Sequence, residues 1–150
     1  MHSLLTQIDQ NNFSFKIKGN IKEISYLEGI IESIGLQWNL NEKVKFKLNL
    51  VLEEVLSNVI FHGFESVNEN NYILSELELS NNEIQIRIID NAKEFNPLLK
   101  ESEPVNKPIE EQSVGGLGIH LVKNMTVFMK YNRKNELNQL TLSITLLDGN

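Results

Sequence analysis

The chain has 150 residues, the usual size of one domain, and its 41% hydrophobic content is enough to fill one core. A formal charge of −6, with Lys and Arg dispersed apart from a loose group at Lys123, Lys130, Arg133 and Lys134, argues against nucleic acid as a partner. The absence of cysteine excludes disulfides and thiolate metal sites, and three scattered histidines (His2, His62, His120) lack ligand spacing, so any metal is a hard cation held by oxygen.

In chain order, residues 1–10 lack a basic start followed by an apolar run, and no stretch approaches the ~20 apolar residues of a membrane span. The expectation is a cytoplasmic protein without membrane contact. Phe13, Phe15 and Ile17 alternate with polar residues and predict a first strand ending at Gly19 and Asn20. Ile24, Leu27, Ile31 and Ile34 recur at helical steps over 21–34, with Asn20 as the N-cap and Gly35 as the stop. A longer helix is predicted over 41–62, with Val44, Leu48, Val51, Leu52, Val55 and Val59 on one stripe and Gly63 after it. Residues 72–80 and 83–90 both alternate, and Asn81-Asn82 between them suits a hairpin turn because Asn tolerates positive φ.

Periodicity then stops. Residues 91–116 contain Pro97, Pro104, Pro108 and many charges, and connections longer than about 12 to 15 residues in a domain are usually lids, binding loops or disorder. Helical period returns over 118–130, and 129–133 with 137–147 read as a final hairpin around Lys134-Asn135. The predicted fold is α/β (α+β): a two-layer sandwich in which a mixed, mostly antiparallel sheet is covered on one face by helices. The whole chain, 1–150, is read as a single domain with its core over about 13–147 and the segment over about 98–116 as a lid.

Three groups of residues carry chemistry. Glu54, Asn58 and His62 are each four residues apart on the long helix, and Glu54 and Asn58 lie about 40° apart around its axis, so both can face one cleft beside the core. Asn in the middle of a long helix competes with its backbone, so it needs a reason. An oxygen ligand for Mg²⁺ is one reason, and an amide satisfied by solvent or a neighbouring loop is the other. Glu53 reads as solvated helix face, and His62 as a hydrogen-bonded structural residue. Asp90 ends a strand and is followed by Asn91-Ala92-Lys93-Glu94-Phe95-Asn96-Pro97. Its carboxylate suits the exocyclic amine of a flat base covered by Phe95 and Pro97, or equally an Asp turn bonded to the backbone two residues on. Gly115-Gly116-Leu117-Gly118-Ile119 stands before a helix, where backbone N–H groups and the helix dipole favour phosphate, although a plain hinge fits as well. No Walker-type Gly-Lys-Ser/Thr is present, which excludes a P-loop.

In order and spacing these groups resemble the anti-sigma factor serine-protein kinases of the GHKL superfamily. Glu53-Glu54-Val55-Leu56-Ser57-Asn58-Val59-Ile60-Phe61-His62-Gly63 resembles that family's N-box helix, Asp90 with Phe95-Asn96-Pro97 its adenine motif, and Gly115 to Val122 its ATP-lid motif. The resemblance covers about residues 13–147 and implies the Bergerat ATP-binding fold. It implies ATP and Mg²⁺ as cofactors, with Asn58 as the metal ligand and Glu54 as the base that orients or deprotonates the attacking hydroxyl. Asp90 would take the adenine amine beside Ala92 and Phe95; Gly115, Gly116, Leu117 and Gly118 would close over the phosphates; Thr141 would back the base. The implied partners are a sigma factor and a small antagonist protein that is phosphorylated, with a homodimer as a further option. Ala92 departs from the pattern, since the family has glycine two residues after the Asp, and Glu94 stands where a small residue is common. The competing class is a regulatory module that binds ATP without catalysis, or has lost it. A histidine kinase catalytic domain is disfavoured, because no dimerisation helix with an acceptor histidine precedes the fold.

Overall fold

Alternating apolar residues, read strand by strand, assemble into one six-stranded sheet whose inner face carries the core. The computed structural model describes residues 4–66, 68–99 and 116–147. Strand β1 (Leu5–Asp9) leads into β2 (Asn12–Ile17), followed by a 3-10 segment (Ile21–Tyr26), α1 (Leu27–Trp38) and α2 (Glu42–Asn58), which continues as a π-helical turn (Val59–Gly63). Next come β3 (Ile73–Ser80), β4 (Glu83–Asp90), a 3-10 turn (Pro97–Leu99), α3 (Gly116–Met125), β5 (Phe128–Lys134) and β6 (Leu137–Thr145). The strand order is β1-β2-β3-β4-β6-β5, and every neighbouring pair is antiparallel.

The pleat sends every second side chain to one face. Phe13, Phe15 and Ile17, Ile73 and Leu77, Ile84, Ile86 and Ile88, and Leu140, Leu142 and Ile144 are all buried, and they form one cluster with the helices. The intervening Glu76, Glu78, Arg87 and Thr141 occupy the opposite parity, on the face away from that cluster. Helix α2 contributes Val44, Leu48, Val51, Leu52, Val55 and Leu56 to the core. Leu48 and Leu52 are fully buried, so truncating either to Ala is expected to cost about 2–5 kcal/mol. Among the described residues no helix is long and apolar enough to cross a membrane.

The helix starts and the first hairpin follow their side chains. Asn20 Oδ1 accepts from the Lys22 N–H at 3.0 Å, and Asn41 Oδ1 accepts from Val44 N–H at 2.8 Å, each satisfying a donor that the first turn leaves free. Asn81 and Asn82 both have positive φ, 51° and 63°, as a tight two-residue hairpin turn requires.

Five details depart from the sequence expectation. A strand, β1, precedes Phe13 and pairs with β2 through an irregularity between Gln7 and Asp9. Gly35 does not end the first helix: it lies inside α1, where a Cβ would stand 2.6 Å from Lys45 Cδ, and the chain turns instead at Asn39 with φ 54°. Helix α3 stops at Met125 rather than running to 130, because 128–134 alternate and pair with β6. The last turn sits at Asn135-Glu136, one residue later than expected. The sheet is antiparallel in every pairing rather than mixed.

Candidate functional site

Helix α2, the loop after β4 and the inner face of β6 converge on a narrow cavity with mostly apolar walls. Its lining includes Val55, Asn58, Gly63, Asp90, Phe95 and Asn138. Asn58 is 3% exposed, and its Nδ2 has no hydrogen-bond partner among the described residues. A buried donor left unpaired is costly. Directly after Asn58 the α-helix widens into the π-helical turn, a device that often marks functional positions. That turn brings His62 over Phe95, with ring centroids 5.4 Å apart and planes 23° from parallel.

Asp90 ends β4 and is 3% exposed. Its Oδ1 accepts from Ala92 N–H at 3.0 Å and from Asn138 Nδ2 at 2.8 Å. The turn-forming role and the ligand-binding role considered for Asp90 are therefore compatible, because both bonds fall on Oδ1 and leave Oδ2 as an acceptor. Burial pushes the Asp90 carboxyl above its ordinary pKa, and the two hydrogen bonds and the Arg133 charge pull the other way.

Asn138 organises this end of the cavity, and the sequence analysis did not single it out. Besides Asp90, its Nδ2 donates to Lys93 O at 2.8 Å. Its Oδ1 accepts from the Tyr131 hydroxyl and from Arg133 Nη1 at 3.0 Å. Arg133 Nη1 also donates to Ala92 O at 3.0 Å. One buried amide thus ties β4, β5, β6 and the loop after Asp90 together. The signal was present: Asn138 has the same parity as Leu140, Leu142 and Ile144, so its side chain had to point inward. An inward-facing Asn in a strand requires partners.

Ala92, where the resemblance carries glycine, is accommodated by a second glycine. A Cβ added at Gly63 would stand 2.7 Å from Ala92 Cβ, so the Ala92 methyl rests where Gly63 has no side chain. Ala92 is absent from the residues with positive φ, so the backbone there makes no demand for glycine. Lys93 N–H donates to Gly63 O at 3.2 Å, which holds the two segments together.

One helical turn before Asn58 and outside the cavity lining, the Glu54 carboxylate packs directly against Gly118 of α3, where an added Cβ would meet Glu54 Oε2. Glu54 is half-buried, and its burial, followed by the Glu53 charge, raises its pKa. Glu54 and Gly118 are therefore brought together on α2 and α3 beside Asn58, while Asp90, Ala92 and Phe95 gather in the cavity lining. Thr141 is not among them: its parity places it away from the helices, and Asn138 and Leu140 line the cavity in its place. Gly116 opens α3. Gly115 lies outside the described residues, as do the side chain of Leu117 and most of the segment expected to form a lid. Among the described residues, no cluster of three or more His, Cys, Asp or Glu is arranged to hold a metal ion.

The site therefore has a polar end suited to an amine-bearing ring, apolar walls, and a glycine-rich helix start beside a carboxylate. A serine/threonine-protein kinase, BtrW of Bordetella bronchiseptica, is 26% identical over 113 residues, which are 75% of this chain and 79% of that protein. The histidine kinase domain of the blue-light activated histidine kinase EL346 from Erythrobacter litoralis superposes with a TM-score of 0.48 at 13% identity, over 97% of this chain and 65% of that one. The family model for the histidine kinase-like ATPase domain matches residues 22–144, the described fold from the first helical segment into β6, and the chain belongs to that family.

Proposed function

We propose that this chain is an ATP-dependent serine-protein kinase of the anti-sigma factor type, which binds a sigma factor and phosphorylates a small antagonist protein. ATP is the ligand implied by the family. Transfer to a hydroxyl is supported by the similarity to a protein named as a serine/threonine kinase. The sigma factor and antagonist rest on the resemblance of the Glu53 to Gly63 helix and the Gly115 to Val122 motif, and with them we propose a cytoplasmic location.

The observation that carries the kinase reading is the Glu54 carboxylate, half-buried against Gly118 with its proton affinity raised. A carboxylate tuned upward is the better proton acceptor for a serine hydroxyl. As the serine oxygen forms its bond to the γ-phosphorus and the bond to the ADP oxygen breaks, Glu54 receives the hydroxyl proton. Asn58 would hold Mg²⁺ through Oδ1, with phosphate and water as the other ligands, and its Nδ2, without a partner among the described residues, would suit a phosphate oxygen. Asp90 and Asn138 hold the base end, and the helix start at Gly116 offers N–H groups to phosphate.

Two variants test the proposal by separating binding from transfer. Glu54→Ala is expected to keep ATP affinity and to lower phosphotransfer to a partner serine by about 10²- to 10⁴-fold. Asn58→Ala should weaken both together, because Mg²⁺ held there would neutralise phosphate charge in the ground state and the transition state alike. The assay is labelled phosphate transfer to candidate antagonist proteins beside calorimetry. ATP binding without transfer to any candidate, with Glu54→Ala leaving partner binding unchanged, would replace this reading with a binding-only regulatory module.

A further inference from the structure

The two edges of the sheet differ in a way the nucleotide site does not explain. Edge strand β1 is five residues long and interrupted between Gln7 and Asp9, the kind of short, irregular edge that resists further pairing. Edge strand β5 is seven residues long and pairs with β6 in unbroken register from Phe128 to Lys134, and among the described residues no strand pairs with its outer side, which carries a regular row of backbone donors and acceptors. Its exposed side chains are Phe128, Lys130, Asn132 and Lys134, alternating with the half-buried Met129, Tyr131 and Arg133. Beside its start lies a shallow depression lined by Leu98, Lys123, Thr126, Val127, Phe128 and Met129, in which Val127 is 58% and Phe128 45% exposed.

Charge is distributed just as unevenly. Residues 116–135 hold four of the chain's 14 Lys and Arg and none of its 20 Asp and Glu, although the whole chain is at −6. Arg133 turns inward to Asn138 and Ala92 O, whereas Lys123, Lys130 and Lys134 are exposed. The β6 residues paired with the outward positions, Ser143, Thr141 and Gln139, are uncharged; the acidic groups facing the strip are Glu136 at the hairpin tip and Glu94 near Tyr131.

We propose that the β5 edge is a docking strip for an extended, acidic segment of a partner protein, which adds to the sheet as a seventh strand. Backbone pairing supplies affinity, and alternate side chains supply selectivity. Lysines on an edge strand repel another basic edge, so this one disfavours a second copy of the chain while accepting a carboxylate-bearing strand. On the outward face, acidic residues four apart would oppose Lys130 and Lys134, and an apolar residue two positions further would cover Phe128. Tyr131 of β5 reaches the cavity, but the outward positions Phe128, Lys130, Asn132 and Lys134 are not among its lining residues, so the proposal stands apart from any phosphoryl transfer.

The test is selection of binders to the full chain from a random ten-residue peptide library. Recovered peptides are then mapped by hydrogen exchange and compared with backbone N-methylated versions that keep the side chains but cannot pair as strands. The expected result is enrichment of the acid-x-x-x-acid-x-apolar pattern or its reverse, with protection of amides over 128–134. N-methylation or the double variant Lys130→Glu/Lys134→Glu should weaken binding at least tenfold, with ATP affinity unchanged. Three results would overturn the proposal: no binders or no acidic bias, equal binding of N-methylated peptides, or a preference for vesicles containing phosphatidylserine over every peptide. Dimerisation of the wild type that Lys130→Glu/Lys134→Glu abolishes would instead assign the edge to a second copy.

Discussion

The Asp90 end of the cavity and the Glu54–Asn58 region beside it are built on opposite principles. Around Asp90 the polar groups satisfy one another: Asn138 bonds Asp90, Lys93 O, Tyr131 and Arg133 within one buried network. Around Asn58 and Glu54 they do not, since the Asn58 amide nitrogen is unpartnered and the Glu54 carboxylate is half-buried with its pKa raised. A satisfied network is rigid before any ligand arrives, and an unsatisfied one is completed by the ligand. The Asp90 end is thus held by the protein itself, whereas the Asn58 nitrogen has no partner among the described residues.

The largest way to break this contrast is Asn138→Ala. It strands Asp90, Arg133 and Tyr131 without their common partner, and a loss of roughly 2–4 kcal/mol of stability is expected from leaving several buried polar groups unpaired. Urea denaturation would show this as a lower midpoint with an unchanged slope. By contrast, Asn58→Ala removes a group whose nitrogen is already unpaired and should cost less stability than Asn138→Ala.

A smaller effect concerns how the chain accommodates Ala92. Gly63→Ala brings a methyl to 2.7 Å from Ala92 Cβ and is expected to cost about 1–3 kcal/mol as overpacking. Adding Ala92→Gly to the same chain should recover most of that loss, and a thermal-denaturation double-mutant cycle measures the recovery. Additive losses would mean that the two residues do not share the space.

The smallest expected effect is at Thr141, on the face of the sheet away from the helices. Thr141→Ala should leave ATP affinity unchanged within about 0.5 kcal/mol, as for a surface substitution away from the site. A larger loss by calorimetry would return Thr141 to the base pocket.

Most of the fold was legible because its signals are local. Alternation marked β2, β3, β4 and β6, two Asn side chains capped the helices, and the Asn81-Asn82 pair placed its turn to the residue. Strand β1 was not legible, because its apolar residues, Leu5 and Ile8, are three apart across an irregular pairing and show no period of two. The end of α1 was misplaced for a tertiary reason: Gly35 serves the close approach of the Lys45 side chain, not helix termination. At the site, the resemblance located α2 and Asp90 but set Thr141 on the wrong face. The residue that holds Asp90 was visible only through its inward parity in β6.

The central claim is that this cavity takes the base of ATP on Asp90, and calorimetric titration of wild type and Asp90→Asn with ATP, with and without Mg²⁺, tests it most directly. The account predicts one site in the wild type, tighter with Mg²⁺. In Asp90→Asn, affinity should be lower by about 1–3 kcal/mol, the worth of a hydrogen bond to a charged group, while the domain stays folded. Equal affinity in the two proteins, or no binding by the wild type, would contradict it.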